Sequence, residues 1–175
     1  RRGDERAAIA GIPPRHLLAT RLATMALVSI AGAIVALATL DFGVAVEAPA
    51  LAFAALVLAA LIYGLLGALV GTLVPRELEG SLVLVFVADI DNALSSGLFP
   101  VEASASVPLL GSLGVTDVAP LYHPHELLTA AVLDGGLATG HLAPALGWLG
   151  ALLVAAFAAY GHTAGGWHFA LGGGS

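Results

Sequence analysis

Four long apolar stretches, each interrupted by short polar runs, set the pattern of the chain. Leu22 to Leu40 carries no charge and ends at Asp41; Ala50 to Leu73 is also uncharged and is closed by Pro75-Arg76-Glu77. Ser81 to Phe99 is apolar except for Asp89, Asp91 and Asn92, and Ala143 to Tyr160 lies uncharged between His141 and His162. A bilayer core takes about 20 mostly apolar residues per helix, so each stretch predicts a membrane-spanning helix. The first is too long for a signal peptide and lacks a small-residue cleavage context. The expected fold is all-α: an integral membrane helical bundle of about four transmembrane helices, over about 22–40, 50–73, 81–99 and 143–160, plus a short outer amphipathic helix.

That short helix is predicted in the outer loop, 100–142. Pro124 suits a first helical turn and Glu126 the positive N-terminal end, while Leu127, Leu128, Ala131 and Val132 form an apolar stripe. Gly135-Gly136 can terminate it. The segment reads as lying at the outer membrane surface, with Tyr122 as an interfacial anchor. Gly111-Ser112-Leu113-Gly114 reads as a plain turn.

Composition agrees with the pattern. Of 175 residues, 59% are hydrophobic and 10% charged, and the mean hydropathy is +0.97. Ordinary soluble domains carry about 25% charged residues, so a water-soluble fold is excluded, and the apolar content excludes disorder. All six basic residues are Arg; the absence of Lys removes a P-loop and Schiff-base chemistry. The absence of Cys removes disulfides, thiol nucleophiles and cysteine zinc sites. A net charge of −6 argues against a nucleic-acid partner.

Arginine placement orients the spans. Arg1, Arg2, Arg6, Arg15 and Arg21 precede the first span and predict a cytoplasmic N-terminus. The turn Asp41–Pro49 has acids and no Arg and is expected outside; Arg76 marks the next turn as cytoplasmic. Pro100–Leu142, without Arg, is again outside, and the C-terminus returns to the cytoplasm. The domain division is therefore a cytoplasmic basic segment over 1–21, a transmembrane domain over 22–163 and a flexible tail over 164–175. Within the second span, Gly67 and Gly71 form a Gly-x-x-x-Gly step preceded by Gly64, a face on which helices can approach closely.

The polar residues of the third span are costly where they stand. Each central Asp costs about 2.5–3.5 kcal/mol on insertion scales and needs protein or water to face. On a regular helix Asp89 and Asn92 share a face, while Asp91 points about 160° away from Asp89. They could serve a substrate path or proton relay, or make an interhelical hydrogen bond, or mark a broken span. In the outer loop His123, His125 and Glu126 have metal-ligating side chains, but no second pair at helical spacing completes a site, so no metal is expected. No catalytic constellation is present, and the chain is not expected to be an enzyme.

Three runs, in this order, resemble the membrane subunit of type-2, export-type ABC transporters. Gly11-Ile12-Pro13-Pro14-Arg15-His16-Leu17-Leu18-Ala19-Thr20-Arg21-Leu22 resembles the basic approach to the family's third span. Pro75-Arg76-Glu77-Leu78-Glu79-Gly80 resembles the cytoplasmic turn between its fourth and fifth spans. Pro120-Leu121-Tyr122-His123-Pro124-His125-Glu126-Leu127 resembles the segment before the last span, where the family has short helices dipping into the outer leaflet. The resemblance runs from about Arg1 to Tyr160. It implies the C-terminal four-span part of a six-span permease, the N-terminal amphipathic helix and first two spans lying outside this sequence.

The resemblance further implies a second permease copy and a cytoplasmic ATPase subunit as partners, in the plasma membrane. ATP would be bound by the partner, leaving this chain without a cofactor. Asp4, Glu5 and Arg6, with Arg76, Glu77 and Glu79, would lie at the ATPase-coupling contacts. The expected function is a permease moving a solute across the membrane with that ATP. The alternatives are a proton-coupled secondary transporter fragment using Asp89 or Asp91, and a membrane assembly protein without transport.

Overall fold

A computed structural model of the chain describes residues 14–74, 76–96, 104–107, 111–114 and 116–171. Helix α1 runs Pro14–Gly43, α2 Pro49–Leu73 and α3 Glu77–Ser95; a hairpin of β1 (Ser104–Val107) and β2 (Gly111–Gly114) follows. After a 3-10 turn at Thr116–Val118 come α4, Tyr122–Thr129, which continues as a π-helical turn over Ala130–Asp134, and α5, Thr139–Leu171. The architecture is an all-α membrane bundle with one small antiparallel hairpin.

Three of these helices are long and apolar enough to cross a membrane: Ala19–Gly43 within α1, α2 itself, and Thr139–His162 within α5. At most 17% of each apolar window is buried within the bundle. Large side chains instead point outward, among them Leu27, Val35 and Phe42 on α1, Leu82 and Phe86 on α3, and Val154 and Phe157 on α5. Such a surface suits hydrocarbon and not water. Thr20, Thr24, Thr39 and Thr72 return their hydroxyls to the carbonyl four residues earlier at 2.8–2.9 Å, which satisfies them without solvent.

α2 is the centre of the bundle, packed against α1, α3, α4 and α5. Pro49 starts it, where a missing N–H costs nothing. Ile62 and Leu65 of α2 meet Leu152 and Ala156 of α5 in the main core, with Leu22 and Met25 of α1 against them. Gly64 is the most crowded of the described glycines: a Cβ there would stand 2.6 Å from Met25 Cγ and Sδ of α1. Gly67 faces Leu84 of α3, and Gly71 has nothing within 4 Å. The close packing thus falls at Gly64, and the three glycines do not share one partner helix.

α4 differs from the expected surface helix. Ala131 and Val132 pack beside Ala52, Leu127 beside Ala55, and Leu121 reaches the level of Tyr63. The segment therefore runs antiparallel to the Pro49–Tyr63 half of α2, penetrating the bundle, as the family resemblance implies. His123, Pro124 and Leu127 are buried on it, which leaves too little free apolar face for it to float on a headgroup layer. Its start at Tyr122 and its stop at Gly135, which has the left-handed φ of 64°, fall where Pro124 and the Gly pair place them.

Three further differences are local. Gly111–Gly114, read as a turn, is a strand pairing with Ser104–Val107 in the register Ser104 with Gly114 and Val107 with Gly111. α5 continues to Leu171, through residues read as tail. α3 has 19 residues, about 28 Å of helix, but Glu77, Glu79, Asp89 and Asp91 separate it from the uncharged spans.

Candidate polar site within the bundle

The two acids of α3 meet opposite environments. Asp91 is 4% exposed, whereas Asp89 and Asn92 are exposed on the opposite side of the helix. This is the divergence expected of residues two apart on a helix. Asp91 accepts a hydrogen bond from the Tyr63 hydroxyl of α2. The Leu121 backbone N–H donates to both its carboxyl oxygens, at 3.1 and 3.3 Å, and Ser95 Oγ lies 3.4 Å away.

Leu121 is the N-cap residue of α4 and no side chain of α4 itself caps that end. A carboxyl from another helix therefore takes the role a capping Glu plays locally, and stands at the positive end of the helix dipole. One buried side chain joins α2, α3 and α4. Of the roles open to it, the interhelical hydrogen bond is the one the geometry provides.

Asp89 and Asn92 line an open groove of about 510 Å³ between α1 and α3, floored by α2. Gly32, Ala33 and Ala36 of α1 and Ala59 and Ala60 of α2 leave it wide because their side chains are small. The polar groups of the groove are thus separate from the Asp91 cluster, although Tyr63 and Leu121 border both.

A second polar cluster sits where α4 meets α5. His123, 6% exposed, places Nε2 at 3.1 Å from the Asp117 carbonyl and Nδ1 at 3.2 Å from His141 Nδ1. A carbonyl only accepts, so in the neutral ring the proton is assigned to His123 Nε2, and His141 Nδ1–H donates to His123 Nδ1. Tyr122 stacks edge-on against both rings, with centroids 5.3 and 5.5 Å away. Burial, then the charges of Glu126 and Asp117, push the Tyr122 phenol above its ordinary value. His125 turns away from this pair, its Nδ1 4.0 Å from Glu126 Oε1. Among the described residues no group of three His, Asp or Glu side chains is arranged to hold a metal.

At the other end of the bundle Arg76 and Glu79 form an exposed ion pair of 2.6 Å over the first turn of α3, which begins at Glu77. Asp4, Glu5 and Arg6 lie outside the described residues. Sequence reasoning missed Tyr63, Ser95 and His141 as partners. A tyrosine in an otherwise apolar span is the one available signal, since a hydroxyl in hydrocarbon needs a partner.

A basic N-terminal approach, an acid-bearing third helix and a short helix inserted before the last span thus occur together in one bundle. The family model described as ABC-2 family transporter protein matches residues 2–160. The chain belongs to the ABC-2 transporter family. The match covers every helix discussed above up to Tyr160, so this bundle is the membrane part of an ABC transporter. No curated protein and no solved structure matches it. Among the described residues, the Asp91 cluster, the His123–His141 pair, the α1–α3 groove and the Arg76–Glu79 turn are places at which chemistry departs from packing.

Proposed function

We propose that this chain is the four-span portion of a permease that works with a second permease copy and is driven by a cytoplasmic ATPase subunit. ATP is bound and hydrolysed on that partner, and the chain holds no cofactor and catalyses no bond change itself. The setting is the plasma membrane, with both ends and the Arg76–Glu79 turn in the cytoplasm. What supports the reading is the family match over residues 2–160 on a bundle with an exposed, charged turn opposite its inserted helix. Glu77 and Glu79, with Arg76, receive the ATPase motion there; Asp4, Glu5 and Arg6 make the companion contact. A hydrophobic or amphipathic solute moves outward through the paired subunits.

The test is co-purification and co-reconstitution of the full protein with an ABC ATPase subunit from the same source. Nucleotide-dependent association is expected, with Glu79→Lys weakening it several-fold and slowing coupled ATP hydrolysis. Absence of any nucleotide-dependent association overturns the proposal.

Asp89 in the groove favours one competing reading, a proton-coupled carrier. On that reading Asp89→Asn abolishes pH-driven uptake; on ours, transport continues to follow ATP.

A further inference from the structure

The groove between α1 and α3 lies at half depth in the membrane. Gly32, Ala33 and Ala36 fall near the middle of the apolar window Ala19–Gly43, and Ala59 and Ala60 near the middle of α2. Asp89 and Asn92, on one face of α3, therefore open onto the groove at a level where hydrocarbon would otherwise stand. Among the described residues neither side chain has a hydrogen-bond or ionic partner, and no arginine or histidine lines the groove. Tyr63, on its border, has already given its hydroxyl to Asp91. A carboxylate at this depth needs a counter-charge or water.

The chain itself brings no arginine to this level. Arg21 stands about 16 Å before Gly32 along α1, and Arg76 about 20 Å before Asp89 along α3. The other four arginines precede Arg21, and there is no lysine. A second copy has the same sequence, so its spans carry no arginine at half depth either.

We infer that the groove binds an organic cation with an apolar body, its cationic centre at Asp89 and Asn92 and its body over the alanine floor of α2. This names the solute class of the proposed permease and rests on that reading. Size and chemistry both select. A volume of about 510 Å³ falls in the range of sites for drug-sized ligands. A divalent metal ion takes several oxygen ligands, and the groove offers one carboxylate and one amide. An anion or a neutral solute leaves Asp89 uncompensated. Asp89→Asn thus loosens the hold on the solute while ATP remains the driving force.

The experiment measures equilibrium binding of radiolabelled tetraphenylphosphonium to the full protein in phosphatidylcholine nanodiscs, with empty discs subtracted. No ATPase or nucleotide is present, so the outcome is separate from the nucleotide-dependent association that tests the permease reading. Saturable binding is expected. Tetraphenylborate, the same shape with a negative charge, measured in separate discs, shows none. Asp89→Asn weakens tetraphenylphosphonium binding by about ten-fold or more, the scale of one lost charge-assisted contact, and Asp89→Glu retains it. Asp41→Asn, which removes the same charge at the outer end of α1, leaves it unchanged. Gly32→Leu keeps every charge and has open space at its Cβ, so it fills the groove without a clash and abolishes binding. No saturable binding to the wild type overturns the inference, as does binding that survives Asp89→Asn or Gly32→Leu, or that falls equally in Asp41→Asn. A wild type that binds nothing and whose copies separate on Gly32→Leu overturns it in favour of an interface between copies.

Discussion

Asp91 and Asp89 are two positions apart in the chain, and substitution at each has a different consequence. Removing the Asp91 side chain strands the Tyr63 hydroxyl and the Leu121 N–H, each costing about 1–3 kcal/mol when buried without a partner. Asp91→Ala is therefore expected to lower the unfolding midpoint in detergent well below that of Asp91→Asn, which retains an acceptor oxygen. Tyr63→Phe and Asp91→Ala combined should cost less than their sum, because they delete one shared bond. Asp89→Asn, on the exposed side, should leave the midpoint nearly unchanged. Equal losses at the two acids would contradict the assignment of Asp91 as the structural one.

Tyr122 gives a pH prediction of definite sign. Its phenol is raised in the folded bundle by burial, Glu126 and Asp117, so below its ordinary pKa of 10 it is neutral in both folded and unfolded states. Above that value the unfolded chain ionises first, and stability falls as pH rises toward the folded value. Tyr122→Phe should flatten that alkaline decline in a pH series of unfolding midpoints.

Among the elements, the apolar runs and the cap chemistry of α4 were legible because both are local: a period, a Pro, a Gly pair. The divergence of Asp89 and Asp91 was legible for the same reason. Their partners were not. Tyr63 and Leu121 stand 28 and 30 residues from Asp91, and His141 stands 18 from His123, distances over which helical periodicity carries no pairing information. The depth of α4 was hidden too, since an apolar stripe reads alike whether lipid or another helix covers it. The contact at Gly64 is likewise a property of two helices. Gly64→Ala should displace Met25 and destabilise the bundle, and the second substitution Met25→Ala should recover part of the loss. Gly71→Ala, with open space around it, should be close to neutral.

For the whole molecule, the backbone itself dictates which ends lie together. Glu47 and Ala48, just before α2, bond to carbonyls of Val132 and Ala131, so the first and last turns share one side. α2 then carries the chain to the opposite side at Arg76. Because the chain has no cysteine of its own, single introduced ones report sides directly. Phe42→Cys and Leu133→Cys should react with an impermeant thiol reagent from one side, and Leu78→Cys from the other. Labelling of all three from the same side would refute the arrangement.

The tie between those two outer turns is main chain to main chain: Glu47 N–H to the Val132 carbonyl at 3.2 Å and Ala48 N–H to the Ala131 carbonyl at 2.9 Å. Its acceptors lie in the π-helical turn, whose wider winding re-aims the carbonyls. A fastening of this kind is blind to side-chain identity. Alanine scanning at Glu47 leaves the bond itself in place, because its donor and acceptor are both main chain. Removing the donor, by replacing the amide of residue 48 with an ester or by Ala48→Pro, will unfasten it.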